Sequence, residues 1–96
     1  MTLLQIEHGI SDFDMWKEAF DRDPIDRRGS GVRGYRVFQP VDDDGRIGIE
    51  LEFDDEETAS SFLDKLRELW QSPAAPVFAG KERVRIVEQV ASEDLR

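Results

Sequence analysis

The chain has 96 residues, with 22 Asp and Glu against 13 Lys and Arg, a formal charge of -9 and no cysteine. That length points to one domain with a modest core, often completed by a second copy. The negative charge repels phosphate backbones and argues against nucleic-acid binding, and the lack of cysteine removes disulfides, thiolate nucleophiles and sulfur-ligated zinc.

Thr2 to Gly9 alternates Leu4, Ile6 and His8 with Leu3, Gln5 and Glu7, the period of a half-buried strand. Ser11, with Asp14 three residues on, reads as a capping box, so a helix is predicted to start there. Phe13, Trp16 and Phe20, with Ala19 beside them, form its apolar stripe, and Pro24 stops it. Asp23 to Gly34, broken by Pro24, Gly29 and Gly31, is predicted to be a mobile crossover loop and a lid. Its Arg27 and Arg28 are expected to be solvated, the alternative being a clamp on an anionic ligand.

Tyr35 to Val41 and Arg46 to Asp54 read as a second and third strand joined at Asp43-Asp44-Gly45, where a tight turn would use positive φ. Asp54, with Glu57 three residues on, is the predicted cap of a second helix, with Asp55 and Glu56 favouring its positive end. Ala59, Phe62, Leu63, Leu66, Leu69 and Trp70 recur at helical spacing until Ser72-Pro73. Ala74 to Gly80 reads as a short apolar linker and Lys81 to Val90 as the last strand. The domain is expected over residues 1–91, with a frayed tail at 92–96. No apolar stretch approaches the ~20 residues of a membrane span and no basic, signal-like start is present. A cytoplasmic protein with no membrane partner is expected.

The order β-α-β-β-α-β predicts an α+β fold: one four-stranded antiparallel sheet with both helices on one face. Leu4, Ile6, Ile47, Ile49, Leu51, Phe53, Val84 and Ile86 are assigned to the helix side, and Leu3, Gln5, Glu7, Glu50, Glu52, Arg85 and Val87 to the other. On the second strand Tyr35 and Val37 are taken as inward, against Val32 and Phe38, which leaves Arg36 and Phe38 on the open face. Nothing in the chain covers that face, so function is expected there.

Several segments together resemble a known group. They are His8 followed by Asp12-Phe13-Asp14-Met15-Trp16, the run Gly31-Val32-Arg33-Gly34-Tyr35-Arg36-Val37, the strand end Glu50-Leu51-Glu52-Phe53-Asp54, and the helix closing on Leu69-Trp70. From about Leu3 to Val90 the chain is similar to the dimeric α+β barrel (ferredoxin-like) superfamily, and within it to short bacterial cyclase-like and antibiotic biosynthesis monooxygenase-like proteins. The resemblance implies a homodimer through the open sheet face, enclosing space for a small aromatic or polyketide-like ligand. Cyclisation or cofactor-independent monooxygenation is the implied activity, with a non-enzymatic dimeric binding or scaffold module as the alternative. No catalytic motif of the characterised members maps onto these positions, so whether the chain is an enzyme stays open.

His8 is the only histidine, and its imidazole titrates near neutrality, so it is the candidate acid or base. The competing reading is a strand-end histidine bonded to backbone or to Asp12 or Asp14. Glu50 and Glu52 are the candidate catalytic carboxylates, and Arg36, Phe38 and Arg85 the candidate ligand contacts, with an arginine stabilising an enolate. Glu7 belongs to the same set, and ion pairing with Arg36 or Arg85 is the structural reading of all three acids. Trp16, Phe20, Phe62 and Trp70 could line an aromatic pocket, although their spacing suits core packing. Asp42 to Ile47 resembles a calcium loop only superficially, since its first and last ligand positions fall on Pro40 and Leu51. There is no phosphate-binding glycine loop, no paired histidines and no nucleophile elbow, and Glu50 and Glu52 stand where an RNA-stacking strand would carry aromatics. No metal and no cofactor is expected.

Overall fold

A computed structural model of the chain describes residues 1–72 and 82–96. The elements are β1 (Thr2–Gly9), α1 (Phe13–Asp21), β2 (Gly34–Phe38), β3 (Arg46–Phe53), α2 (Glu56–Trp70) and β4 (Arg83–Glu88). The strands form one antiparallel sheet in the order β2-β3-β1-β4. This is the split arrangement expected when each crossover helix spans one intervening strand. The predicted linker Ala74 to Gly80 and the predicted strand start at Lys81 lie outside the described residues.

Register decides the faces. Leu4 pairs with Leu51 and Ile86, and Ile6 with Ile49 and Val84, so these side chains share the helix side. Tyr35 opposite Leu51 and Val37 opposite Ile49 join them, as the pattern predicted. Val32, the competitor for that position, is also buried, from the loop before β2. Phe53 is fully buried against Phe62 of α2, ring centroids 5.6 Å apart. Ala59 and Leu63 complete the buried stripe of that helix.

Both helix caps sit one residue beyond the predicted ones. Asp12, not Ser11, is extended and accepts the N–H of Met15 at 2.9 Å. Asp55, not Asp54, accepts the N–H of Thr58 at 2.7 Å, because Asp54 is bound to Arg33 Nη2 at 2.7 Å. β2 ends at Phe38 instead of reaching Val41, since Pro40 has no N–H to continue a ladder. The hairpin connection is therefore residues 39–45. It uses no positive φ; the Asp43 carboxylate instead accepts the Gly45 N–H at 2.9 Å.

The two helices pack differently. α2 lies against β1, β3 and β4, whereas no Cα of α1 comes within 8 Å of a Cα in any other described helix or strand. Trp16 and Phe20 fill the intervening space, stacked with centroids 4.9 Å apart. Large aromatics on one stripe hold a helix off the sheet, and the remaining gap becomes a cavity.

Candidate functional site

That cavity has a volume of about 230 Å3. Ile6, Ile49 and Leu51 form its floor on the helix side of the sheet, Trp16 and Phe20 one wall, and Trp70 with the end of α2 the other. The loop after α1 contributes Asp23, Pro24, Ile25 and Arg27. This cavity is thus on the opposite side of the sheet from the face where function was expected.

His8 is the polar group at the strand end of this cavity. It shares the parity of Leu4 and Ile6, pairs with Ile47 and is 2% exposed. Its Nδ1 lies 2.8 Å from the Gly9 carbonyl oxygen. A carbonyl only accepts, so Nδ1 carries the proton and Nε2 the lone pair. Trp70 stands edge-on to the imidazole at 5.8 Å, and Trp16 is tilted at 6.4 Å. Burial lowers the His8 pKa and Arg46 lowers it further, while the bond to Gly9 and the charge of Glu82 oppose them. The result is an imidazole that is neutral at neutral pH.

Arg27 departs from the expectation of a solvated side chain. It is 16% exposed, with its guanidinium 3.9 Å above the Phe20 ring and 5.0 Å from that of Tyr35. Nη1 donates to the Phe20 carbonyl at 2.8 Å, and Nε is 3.5 Å from Asp23 Oδ1. The surrounding loop is hydrogen-bonded: Asp26 N–H to Asp23 O at 3.0 Å, Val32 N–H to Arg27 O at 2.9 Å, and Ser30 Oγ to Ile25 O at 2.8 Å. Arg28 is exposed, as predicted.

The other candidates occupy the open face. Arg36 donates to Glu50 Oε1 from Nε at 3.2 Å and Nη2 at 3.0 Å, and its Nη1 is 3.5 Å from Glu52. Gln5 donates to the second Glu50 oxygen at 2.9 Å. Phe38 is 49% exposed, opposite Gly48, and Arg85 sits on β4 opposite Gln5. Glu50, Phe38 and Arg85 line an open depression of about 660 Å3 with Gln5 and Glu7. Arg36, Glu50 and Glu52 therefore come together, but the sheet separates them from His8. Period-2 alternation already placed His8 with Ile6 and away from Glu50. The enclosing role of Arg27 carried no such local signal, because its seat is made by Phe20 and Tyr35 from two different elements.

Among the described residues no three His, Asp or Glu side chains converge to hold a metal ion, and no helix is long and apolar enough to cross a membrane.

No protein-family model matches the sequence, and no curated protein does. Solved structures match closely in shape. A dimeric ferredoxin-like protein from an uncultured marine organism aligns over 99% of this chain and 98% of its own, at 15% identity and a TM-score of 0.71. The fold is ferredoxin-like. The heme-degrader MhuD of Mycobacterium tuberculosis, with two hemes bound in its active site, covers 96% of this chain and 99% of its own at 16% identity, TM-score 0.67. SnoaB of Streptomyces nogalater, a cofactor-independent oxygenase represented by a mutant form, covers 95% and 94% at 10% identity, TM-score 0.69. At these identities the likeness is one of ferredoxin-like fold, and it bears out the resemblance read from the motifs at that level.

Proposed function

We propose that this chain is a homodimeric, monooxygenase-like protein that holds a planar aromatic or polyketide-like compound between its sheet and helices. The observation that carries this reading is a cavity walled by Trp16, Phe20 and Trp70 with the neutral imidazole of His8 at one end. Indole and phenyl walls favour flat rings through offset and edge-on contacts. The volume of about 230 Å3 is just below the ~300–1,000 Å3 usual for drug-sized ligands, which suits two or three fused rings. A heme-degrader and a cofactor-independent oxygenase with the same fold support oxidative chemistry on a flat ligand.

His8 supplies what such chemistry asks of a protein without a redox group. His8 takes one proton from an activated ring methylene, the carbanion bonds to dioxygen, and the returned proton makes a hydroperoxide. Loss of the second methylene proton then breaks the O–O bond, leaving a carbonyl on carbon and a hydroxide that this proton converts to water. The open face then serves as the dimer interface, with the Arg36 pairs setting register. The pairing of Arg36 with both Glu50 and Glu52 also favours the second reading, a dimeric binding module without turnover.

Anthrone tests the choice. Conversion to anthraquinone, followed with oxygen uptake, is expected to be faster with the protein and to drop ~100-fold or more in His8→Gln. An unchanged rate in that variant removes His8 from the mechanism. Binding without oxygen uptake leaves the binding module.

A further inference from the structure

The loop that closes the cavity holds one guanidinium against it, and the way that group is held bears on which ligands enter. The Arg27 guanidinium carbon sits 3.9 Å above the Phe20 ring centroid and 5.0 Å from that of Tyr35, so the group is positioned before any ligand arrives. Of the five N–H donors of a guanidinium, one on Nη1 goes to the Phe20 carbonyl and Nε faces Asp23. The other three, on Nη1 and Nη2, meet no acceptor among the described residues, and Nη2 is not sealed from solvent. The other arginine lining the cavity, Arg22, is 68% exposed and engaged with Glu18 at 2.8 Å.

The loop around Arg27 turns at Asp23 and Asp26, which adopt φ of 54° and 57°, the left-handed region that Asp enters more readily than most non-glycine residues. Asp23 does not simply neutralise the arginine: its Oδ1 accepts the Arg27 backbone N–H at 2.9 Å, which fixes the carboxylate on the Nε edge. The Nη edge is left for something else. In a chain of charge -9 that repels anions at long range, a preset guanidinium over aromatic rings is a local reversal of sign.

We propose that Arg27 is a specificity-determining residue that receives a carboxylate on the aromatic ligand, so the cavity takes aromatic acids in preference to their neutral counterparts. This rests on the cavity being the ligand site. The ring system lies among Trp16, Phe20 and Trp70, and its carboxylate meets the Nη edge at the loop.

Calorimetric titration of the full chain with 2-naphthoate and with the neutral isostere 2-naphthamide tests the assignment. Naphthoate is expected to bind roughly 10- to 100-fold more tightly, the range of charge-assisted hydrogen bonds. Arg27→Met is expected to erase that preference by weakening naphthoate alone, with naphthamide within about twofold of wild type. Arg27→Lys should keep part of the preference, as a point charge without the fork. Equal wild-type affinities, or equal losses for both ligands in Arg27→Met, would make Arg27 a structural plug and overturn the assignment while leaving the cavity as a binding site. If the wild type binds neither ligand, both inferences fall. Should Arg27→Met not fold, Arg27→Lys decides, since loss of the fork must weaken naphthoate and spare naphthamide.

Discussion

The imidazole of His8 stands edge-on to the indole of Trp70, centroids 5.8 Å apart and planes at 63°, which ties the end of β1 to the last residue of α2. Burial there holds the folded-state pKa of His8 below the value of about 6.5 that it has in an unfolded chain. As pH falls through 6.5 the unfolded chain takes up a proton that the folded one refuses, so stability declines until the lower folded pKa is reached. The slope approaches ~1.4 kcal/mol per pH unit for one proton. Urea midpoints are expected to drop between pH 7.5 and 5.5, and His8→Gln should flatten that decline. Asp54, Asp55 and Asp94 have lowered pKa values, so whatever they contribute is lost only at more acidic pH.

The cap of α1 separates two adjacent residues. Asp12 accepts the Met15 N–H, so Asp12→Ala should cost about 0.5–2 kcal/mol, while Ser11→Ala should sit within the scatter of surface substitutions. Equal losses in chemical denaturation would return the cap to Ser11.

Gly31 has φ of +98°, and a Cβ built on it would lie 2.5 Å from Thr58 Cγ2 on the first turn of α2. Gly31→Ala is expected to destabilise by at least ~1–2 kcal/mol from the backbone alone. Adding Thr58→Ala should recover only the steric part, a difference that a double-mutant cycle in urea reads directly.

Dimerisation through the open face predicts a solution mass twice the 11.1 kDa of the chain. Phe38 is half-exposed on that face, beside the Arg36–Glu50 pair. Phe38→Asp should move the mass toward one chain in light scattering without lowering far-UV helicity. A wild type that stays at one chain at high concentration would end the dimer proposal.

Much of the fold was legible because its signals are local. The stripe Phe62, Leu63 and Leu66 needs only the helical period, and the split between Ile49 and Glu50 only the period of a strand. What misled was also local. Ser11 and Asp12 are both good caps, and the choice follows from Ile10, whose N–H bonds to Gly45 O at 2.8 Å and carries the extended chain one residue further. Asp54 lost its cap to Asp55 because Arg33, 21 residues earlier, had claimed it. The candidate site was half visible. His8 was named a candidate from its chemistry, but the glutamates named with it lie across the sheet, and Arg27 was set aside because loop arginines have no pattern to read.

The amino-acid order alone determined the run of elements and the two faces of β1 and β3, since each depends on residues a few positions apart. Only the tertiary structure decided where the empty space is and what closes it. That space exists because Trp16 and Phe20 keep α1 off the sheet, and it is bounded by Arg27 because Phe20 and Tyr35 meet there. Such a void belongs to how distant segments approach one another, and no segment carries it by itself.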